Sequence, residues 1–242
     1  MSRYKESDMK RVLVIQNDPL APAGYFGLSL LEAGAELTTL RIYQAEERLS
    51  VDVNDYQALL VLGGRINAFD EKEQGLTGYA VQLISAFHQQ DKAIFGICLG
   101  AQLIAKTLNT GFRSNDGWEV GFTDVRRVKA AESDPIFSHL PEQCRLFEMH
   151  EDSFFLPQNS ELLMSGKSCT NQAFRVGRAT YGVQFHPEAT ESIVGSWVEL
   201  IRSKPNGEGN EMANNMLKMQ ATDFQQQNLI CQTLANHWLS LT

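Results

Sequence analysis

The sequence has few cysteines and no long apolar stretch. Only four of the 242 residues are cysteines, and because none stands in a CxxC pair or at zinc-finger spacing from histidine, neither a disulfide framework nor a metal site is indicated. Free thiols are typical of a reducing compartment, and we expect a cytoplasmic protein. No stretch approaches the roughly 20 apolar residues of a membrane span, and the polar residues 1–10 lack the apolar core of a signal peptide. We therefore expect no membrane partner.

An excess of positive charge is also missing. The net charge is -8, which disfavours a nucleic-acid or anionic-membrane partner. No GxxxxGK[ST] loop or other nucleotide-binding motif occurs, and we expect no cofactor. The hydrophobic fraction of 43% is nevertheless ordinary, and it is large enough to form the core of one sizeable domain.

The first half of the chain alternates between short apolar runs and helical patterns. The continuous apolar residues 12–15 and 58–62 are typical of strands buried on both faces of a parallel sheet. This βαββαβα order predicts an α/β fold with a doubly wound, mostly parallel sheet flanked by helices. The predicted strands are 11–16, 36–43, 58–62 and 93–97, and the predicted helices are 25–33, 77–90 and 99–108.

The second half is richer in strands and ends in helices. Residues 203–210 (SKPNGEGN) have the composition of a linker. From residue 211 an apolar stripe predicts helices that pack on the domain or on a neighbouring subunit. We therefore divide the chain into a domain at 1–202 and a linker with a helical extension at 203–242. Strands are predicted at 120–129, 145–150, 161–166, 173–176 and 180–184, with a short helical turn at 134–140 and a helix at 191–202.

Cys98 stands where a predicted strand meets a predicted helix. Gly96 and Gly100 lie two residues to either side of it, which is the spacing of a nucleophile elbow. Glycine is needed there because the nucleophile adopts a strained backbone, and side chains two positions away would collide. The N-terminus of the helix favours the thiolate, and the N–H of Leu99 can face a developing oxyanion. A buried structural cysteine is the alternative, but the junction and its two glycines favour a catalytic one.

His186 and Glu188 follow a predicted strand near the end of the domain. Pro187 breaks that strand directly after His186, so the histidine stands at a carboxyl end, where open α/β sheets form their active sites. Glu188 can accept a hydrogen bond from one ring nitrogen of His186 and leave the other to face a thiol. The pattern thus predicts a triad of Cys98, His186 and Glu188.

Three motifs together resemble the class I, triad-type glutamine amidotransferases. They are GICLGAQ at 96–102, GVQFHPE at 182–188 and LGGR at 62–65, and their order along the chain also fits. The resemblance covers about residues 11–200, and the surrounding segments look most like stand-alone relatives of the GMP synthetase amidotransferase domain. It implies the flavodoxin-like fold of that family.

The resemblance also implies a mechanism. The Cys98 thiolate attacks the side-chain amide of glutamine or another γ-glutamyl bond, and water hydrolyses the resulting γ-glutamyl thioester. In that mechanism His186 transfers the thiol proton to the leaving nitrogen, and Glu188 orients His186. The oxyanion residues that the resemblance implies are Gly64, Arg65 and Leu99, and the substrate-binding residues that it implies are Gly63, Gln102, His150, Glu151 and Asp152.

Residues 150–152 depart from the pattern of the family. Many relatives have His-Gly-Asp there, whereas this chain has His-Glu-Asp, and a glutamate near the substrate carboxylate would narrow the pocket or repel the substrate. A γ-glutamyl peptidase that acts on glutathione-like peptides therefore stays an alternative. Because the chain has no room for a synthetase domain, ammonia would pass to a separate synthetase subunit, or the protein would be a hydrolase by itself. A regulatory subunit that is active only with its partner, a homo-oligomer, and a PfpI-like protein also stay open.

Overall fold

The computed structural model describes residues 9–44, 51–70, 72, 74–205 and 209–242. Residues 1–8, which belong to the segment 1–10 where no signal peptide is predicted, lie outside this described part. So do residues 206–208 of the predicted linker. Within it, the strands form one sheet in the order β2-β1-β3-β4-β9-β8-β7-β5-β6. The strands are β1 (Arg11–Gln16), β2 (Glu36–Arg41), β3 (Ala58–Val61), β4 (Ala93–Ile97), β5 (Phe112–Arg127), β6 (Gln143–Phe154), β7 (Ser160–Gly166), β8 (Ala173–Val176) and β9 (Thr180–Val183). The helices are α1 (Gly24–Glu32), α2 (Gln74–Gln89), α3 (Leu99–Thr107), α4 (Glu191–Arg202), α5 (Asn210–Met216) and α6 (Ala221–Leu239).

One half of the sheet is parallel and contains β2, β1, β3, β4 and β9. Every residue of β3, β4 and β9 is buried, because strands covered on both faces need continuous apolar sequences. Helices α1 and α6 pack on one face of this half, and α2 and α3 pack on the other. The predicted doubly wound α/β fold is therefore confirmed.

The other half of the sheet is antiparallel and continues from β9 through β8, β7, β5 and β6. The long strand β5 pairs with β6 and with β7, and its register with β6 shifts between Ser114 and Glu119. The sheet is thus a single mixed sheet, and its parallel pairing is confined to the half that begins at β2 and ends at β9.

Helix α6 contributes to the core. The ring of Trp238 is fully buried, and its centroid lies 5.9 Å from that of Phe26 in α1 and 5.8 Å from that of Phe95 in β4. The division of the chain at residue 202 stays a prediction. Among the described helices, none has the length and apolar character that crossing a membrane requires.

Candidate active site

The elbow at Cys98 has a strained backbone, with φ 50° and ψ −107°. Its N–H donates to the carbonyl of Val183 in β9 at 2.8 Å, which ties the elbow to the neighbouring strand. A Cβ added to Gly96 would lie 2.6 Å from the carbonyl carbon of Gly100, and one added to Gly100 would overlap the carbonyl oxygen of Val61. Only glycine fits at both positions. The Cys98 thiol therefore lies at the carboxyl end of β4 and at the N-terminus of α3.

His186 and Glu188 form a buried pair beside this thiol. His186 Nδ1 lies 2.8 Å from Glu188 Oε1, and the ring of His186 also hydrogen-bonds Cys98. Burial lowers the pKa of His186, but the charges of Glu188 and Cys98 and the two hydrogen bonds outweigh burial and raise this pKa well above its ordinary value. The three side chains have the arrangement of a Cys-His-Glu triad, in which the histidine can carry a proton between sulfur and substrate.

Two further contacts fix the position of His186. Its backbone N–H donates to the carbonyl of Phe147 in β6 at 2.8 Å. Its ring lies edge-on to Trp197 of α4, with ring centroids 5.1 Å apart. Trp197 is itself held by a hydrogen bond from its Nε1 to the carbonyl of Leu20 at 2.7 Å. The imidazole is therefore held between the sheet and α4.

The loop after β3 places Gly63 and Gly64 against the elbow. A Cβ added to Gly63 would lie 3.1 Å from His186 Cε1 and 3.7 Å from Cys98 Cβ, and one added to Gly64 would lie 3.0 Å from Leu99 Cδ2. Two of the residues that were predicted to surround the oxyanion, Gly64 and Leu99, thus lie against each other at the elbow. Their role as oxyanion donors stays a prediction.

Arg65, which was also predicted to stabilise the oxyanion, is paired with Asp18. The guanidinium Nε and Nη2 of Arg65 lie 2.5 Å and 3.1 Å from the Asp18 carboxylate, and the backbone N–H of Arg65 donates to Asp18 Oδ2 at 3.3 Å. Burial raises the pKa of Asp18, but the hydrogen bonds from Arg65 and Leu20 outweigh burial and lower it. An oxyanion that uses the Arg65 N–H would therefore compete with this carboxylate.

A cavity of about 290 Å³ opens over Cys98, and most of the predicted substrate residues line it. Gln102 Nε2 donates to the carbonyl of Asp152 at 3.2 Å, and Asn67 Nδ2 donates to the Asp152 carboxylate at 3.0 Å. Glu151 is exposed and lines the same cavity, together with Trp118, which is 51% exposed. Of the residues predicted to bind substrate, those that line the cavity are Gln102, His150, Glu151 and Asp152, whereas Gly63 lies against His186.

One cluster among the described residues has the composition of a metal site. Glu119, His150 and Cys169 each bring one ligand-type atom within 4.8 Å of the others. However, Gln172 Nε2 donates to Glu119 Oε2 at 3.2 Å, and the Cys169 thiol contacts Ser153 Oγ at 3.3 Å. Because these hydrogen bonds already account for Glu119 and Cys169, we assign no metal ion to the cluster.

Three residues of the site were not singled out by the sequence. Gln184 Nε2 lies 3.5 Å from the Cys98 sulfur, and its place inside the GVQFHPE motif could have revealed it. Asp18 lies after β1 and Trp197 lies in α4. Both are outside the three motifs, so the sequence gives no such signal for them. Only the tertiary fold brings them to the triad.

A doubly wound sheet with a cysteine triad at the carboxyl end of a central strand is typical of an enzyme that uses a cysteine nucleophile. The family model for glutamine amidotransferase class-I matches residues 28–197. The chain belongs to this family, and the resemblance that the three motifs indicated is confirmed.

Individual relatives agree with this assignment. The chain is 24% identical to the glutamine amidotransferase-like protein YfeJ of Salmonella typhimurium, over 90% of this chain and 92% of the relative. It is 34% identical to a subunit of the glutamine-hydrolyzing GMP synthase of Pyrococcus abyssi, where the match covers 48% of this chain and 61% of the relative.

Solved structures show the same fold. A glutamine amidotransferase from Thermotoga maritima superimposes with a TM-score of 0.81 at 23% identity, over 95% of this chain and 98% of that one. A glutamine amido transferase from Methylobacillus flagellatus gives a TM-score of 0.83 at 21% identity, over 97% of this chain and 96% of that one. The flavodoxin-like fold of class I glutamine amidotransferases is therefore confirmed.

Proposed function

We propose that this protein hydrolyses the γ-amide of glutamine, with Cys98 as the nucleophile, His186 as the acid and base, and Glu188 as the residue that orients His186. The observation that carries the proposal is the strained elbow at Cys98, which faces the buried pair of His186 and Glu188. Membership of the glutamine amidotransferase class-I family supports the hydrolysis of glutamine amides in general.

The first half of the proposed reaction forms a thioester. The Cys98 thiolate attacks the γ-carbonyl carbon, and the carbonyl electrons move to the oxygen. The N–H groups of Leu99 and of the Gly64-Arg65 turn stabilise this oxyanion. When the tetrahedral intermediate collapses, the C–N bond breaks, and His186 gives its proton to the nitrogen, which leaves as ammonia.

The second half of the proposed reaction releases glutamate. His186 is now neutral and removes a proton from a water molecule, which attacks the thioester carbon. The C–S bond then breaks, glutamate departs, and the Cys98 thiolate and the His186 imidazolium are restored. Glu188 stabilises the imidazolium through its 2.8 Å contact with Nδ1.

Trapping of the nucleophile tests the proposal. The wild-type protein is incubated with glutamine, with ammonia release as the readout, and separately with 6-diazo-5-oxo-L-norleucine, an electrophilic glutamine analogue that alkylates attacking thiols. We expect ammonia release and one covalent adduct on the peptide that contains Cys98. Cys98→Ala should abolish both, and Glu188→Gln should lower kcat while the pocket still binds the analogue.

Cys144→Ala is the matched control, because Cys144 is a buried cysteine of β6. Burial raises the pKa of the Cys144 thiol to about 11, so this thiol stays protonated at neutral pH. This variant should keep the activity and the adduct. An adduct that forms on another cysteine, or ammonia release that survives Cys98→Ala, would contradict the proposal.

A γ-glutamyl peptidase is the second candidate, and the shape of the cavity favours it. Trp118, Met149 and Leu200 line the cavity together with Glu151, so apolar surface and one carboxylate lie near the space into which a leaving group would project. Values of kcat/KM for glutamine, glutathione and γ-glutamyl dipeptides distinguish the two candidates. If Glu151 repels free glutamine, Glu151→Gly raises kcat/KM for glutamine alone.

A separate synthetase subunit is the partner that the proposed function favours. The relative from Pyrococcus abyssi belongs to a GMP synthase, and ammonia released at Cys98 needs an acceptor if it is not the final product. Purification of the chain with and without candidate synthetase subunits of its own organism, with glutaminase activity as the readout, tests this partnership.

The four cysteines are all unpaired, which supports a reducing, cytoplasmic location.

A further inference from the structure

A second buried titratable cluster lies beside the triad and has no role in the reaction proposed above. The side chain of His150 is 2% exposed, and its Nε2 lies 3.2 Å from Glu119 Oε2 and 3.1 Å from Glu148 Oε2. Glu148 is completely buried, and neither its oxygens nor His150 Nε2 makes a well-aligned hydrogen bond among the described residues, so their 3.1 Å approach is an ion-pair contact. A buried carboxylate without a cationic neighbour is strongly destabilising, so His150 is the group that compensates Glu148.

The other ring nitrogen of His150 faces a carbonyl. His150 Nδ1 lies 3.2 Å from the backbone oxygen of Asp152, the same oxygen that accepts from Gln102. The side-chain amide of Asn115 lies 3.3 Å from Nδ1 and can present its oxygen after exchange of its two ends. A carbonyl only accepts, so Nδ1 can present a proton to it, and Nε2 lies close enough to two carboxylates for a second proton to offset their charge. This arrangement favours the doubly protonated ring, an imidazolium.

The electrostatics of the pocket agree with this state. Burial lowers the pKa of His150, but the contacts with Glu119 and Glu148 and the charges of Glu148 and Cys98 outweigh burial and raise it well above its ordinary value. Burial raises the pKa of Glu148, and the contact with His150 lowers it. The charge of Glu119 also raises this pKa, whereas the charge of His186 lowers it. His150 and Cys98 line the same cavity, so a positive charge on the His150 ring lies on the side of the cavity that the thiol also faces. The titratable groups that face His150 are Glu119 of β5, Glu148 and Asp152 of β6, Cys169 of the loop between β7 and β8, and Cys98 of the elbow.

We propose that Glu119 and Glu148 hold His150 as a permanent imidazolium, and that this positioning residue stabilises the Cys98 thiolate in addition to His186. The inference rests on the proposed function, because it concerns the nucleophile of that reaction. Because the His150 side chain is 2% exposed, a fixed charge on it is screened less than a charge in water. The same ring contacts the carbonyl of Asp152 in β6, a residue that also lines the cavity.

The pH dependence of Cys98 alkylation by iodoacetamide tests the charge. The adduct is quantified by mass spectrometry on the Cys98 peptide, which excludes the other three thiols. His150→Asn removes the charge and keeps a donor for the Asp152 carbonyl. In this variant we expect the midpoint of alkylation to move to higher pH, because the thiolate loses a neighbouring positive charge. His139→Asn is the matched control, because His139 stacks on His237 away from the cavity, and its midpoint should equal that of the wild type.

Nuclear magnetic resonance of ¹⁵N-labelled histidine tests the protonation state directly. In the wild type we expect both ring nitrogens of His150 to stay protonated above neutral pH. In Glu148→Gln, and more strongly in the double variant with Glu119→Gln, the ring should titrate closer to the ordinary value of about 6.5. Because these variants keep the shape of both side chains, the measurement stays informative even if His150→Asn does not fold.

Three results would overturn the inference: a neutral His150 at pH 7.5, an unchanged alkylation midpoint in folded His150→Asn, or a stoichiometric divalent ion bound to the wild-type protein. Its failure is separable from failure of the proposed function. If glutaminase activity depends on Cys98 but the midpoint is unchanged, only the role of His150 is wrong. If the midpoint rises but no γ-glutamyl compound reacts, the proposed function is wrong and the imidazolium stands.

Discussion

Around Cys98 the backbone decides which side chains the site tolerates. Gly96 and Gly100 leave no room for a methyl group, because the elbow presses each of them against neighbouring main chain. Gly63 is different, since the atoms nearest to an added Cβ belong to His186 and Cys98. A substitution at Gly63 would therefore affect the reacting groups before it affected the fold.

Gly63→Ala should lower kcat by about 10-fold or more, with a smaller effect on KM. The new methyl group would lie 3.1 Å from His186 Cε1, so the ring has to shift by a few tenths of an ångström, and small displacements of a reacting group are costly. Steady-state glutaminase kinetics measure the change. Gly78→Ala in α2 is the control, because nothing lies within 4 Å of a Cβ added there. Equal kcat in both variants would contradict the contact.

The buried histidines should make the stability of the protein fall as the pH rises. The pKa values of His150 and His186 are raised in the folded state, so above about 6.5, the unfolded value, the folded state binds more protons. Their stabilisation is complete below that pH and is lost as the pH rises through the folded pKa values.

Urea denaturation at several pH values from about 6 to about 9 measures this dependence. The free energy of unfolding should decrease across that interval in the wild type and should decrease less in His150→Asn. A stability that increases with pH in this interval would show that the two buried histidines are neutral in the folded protein.

How much of the site the sequence predicts depends on how local each signal is. Cys98 and His186 lie in short motifs in which glycine permits the strained elbow and proline ends the strand, so both residues could be found without a structure. Asp18 lies in an ordinary loop and reaches Arg65 only because β1 and β3 are neighbours. Trp197 looks like a core residue of an amphipathic helix, and its contact with His186 depends on where α4 packs.

Among the elements, α6 supports the site from outside the matched family region, which ends at residue 197. The side chain of Gln227 is buried, accepts from the N–H of Phe147 at 2.8 Å and donates to the carbonyl of Ala189 at 2.8 Å. The carbonyl of Phe147 in turn accepts from the N–H of His186. One residue of the C-terminal helix therefore connects β6 to the turn that carries His186 and Glu188.

Gln227→Leu should lower the free energy of unfolding by about 2 to 4 kcal/mol. The substitution leaves a buried N–H and a buried carbonyl without partners, and each such group costs about 1 to 3 kcal/mol. Activity should fall as well, because the turn that carries the triad loses its support. Urea denaturation and glutaminase kinetics measure both effects. Gln226→Leu is the control at an exposed neighbouring position, and a similar loss in that variant would assign the effect to helix propensity instead.

How accurately the bounds of a strand or helix could be predicted depends on how continuously its residues are buried. The strands predicted at 93–97 and 173–176 and the helix predicted at 191–202 have the bounds of β4, β8 and α4, because each has a continuous apolar or amphipathic pattern. Strand β5 was predicted at 120–129, but it begins at Phe112. After Phe112, residues 113–117 (RSNDG) contain no apolar side chain, and β5 then passes through a register shift with β6, so no alternation marks this part as a strand.

For the whole molecule, the order of the strands creates the site. Asp18 follows β1, Gly63 follows β3, Cys98 follows β4 and His186 follows β9. These strands are consecutive neighbours in the sheet, so residues far apart in the chain meet at one edge. The existence of each strand could be predicted from its apolar run. Its neighbours could not, because a fully buried parallel strand carries no mark of its partner and the crossover connections decide the order.

The same layered arrangement decides whether the predicted extension at 203–242 is dispensable. Helix α6 covers the face of the sheet that α1 leaves open, and its buried residues include Ile230, Leu234 and Trp238. Without α6, Phe26 and Phe95 would lose the ring that packs on both of them. A core of this kind is cooperative, so its loss affects strands that lie far from α6 in the sequence.

A chain that ends at Arg202 should therefore fail to fold, although it contains every residue of the triad. The cut exposes apolar surface on the β4 side of the sheet and removes the hydrogen bonds of Gln227. Trp238→Ala, in the full chain, should lower the free energy of unfolding by about 3 to 5 kcal/mol, whereas Leu229→Ala, at a position 64% exposed, should change it little. Circular dichroism and thermal unfolding measure all three. Cooperative unfolding of the shortened chain, together with retained glutaminase activity, would instead mean that residues 1–202 fold independently and that α6 only covers a finished domain.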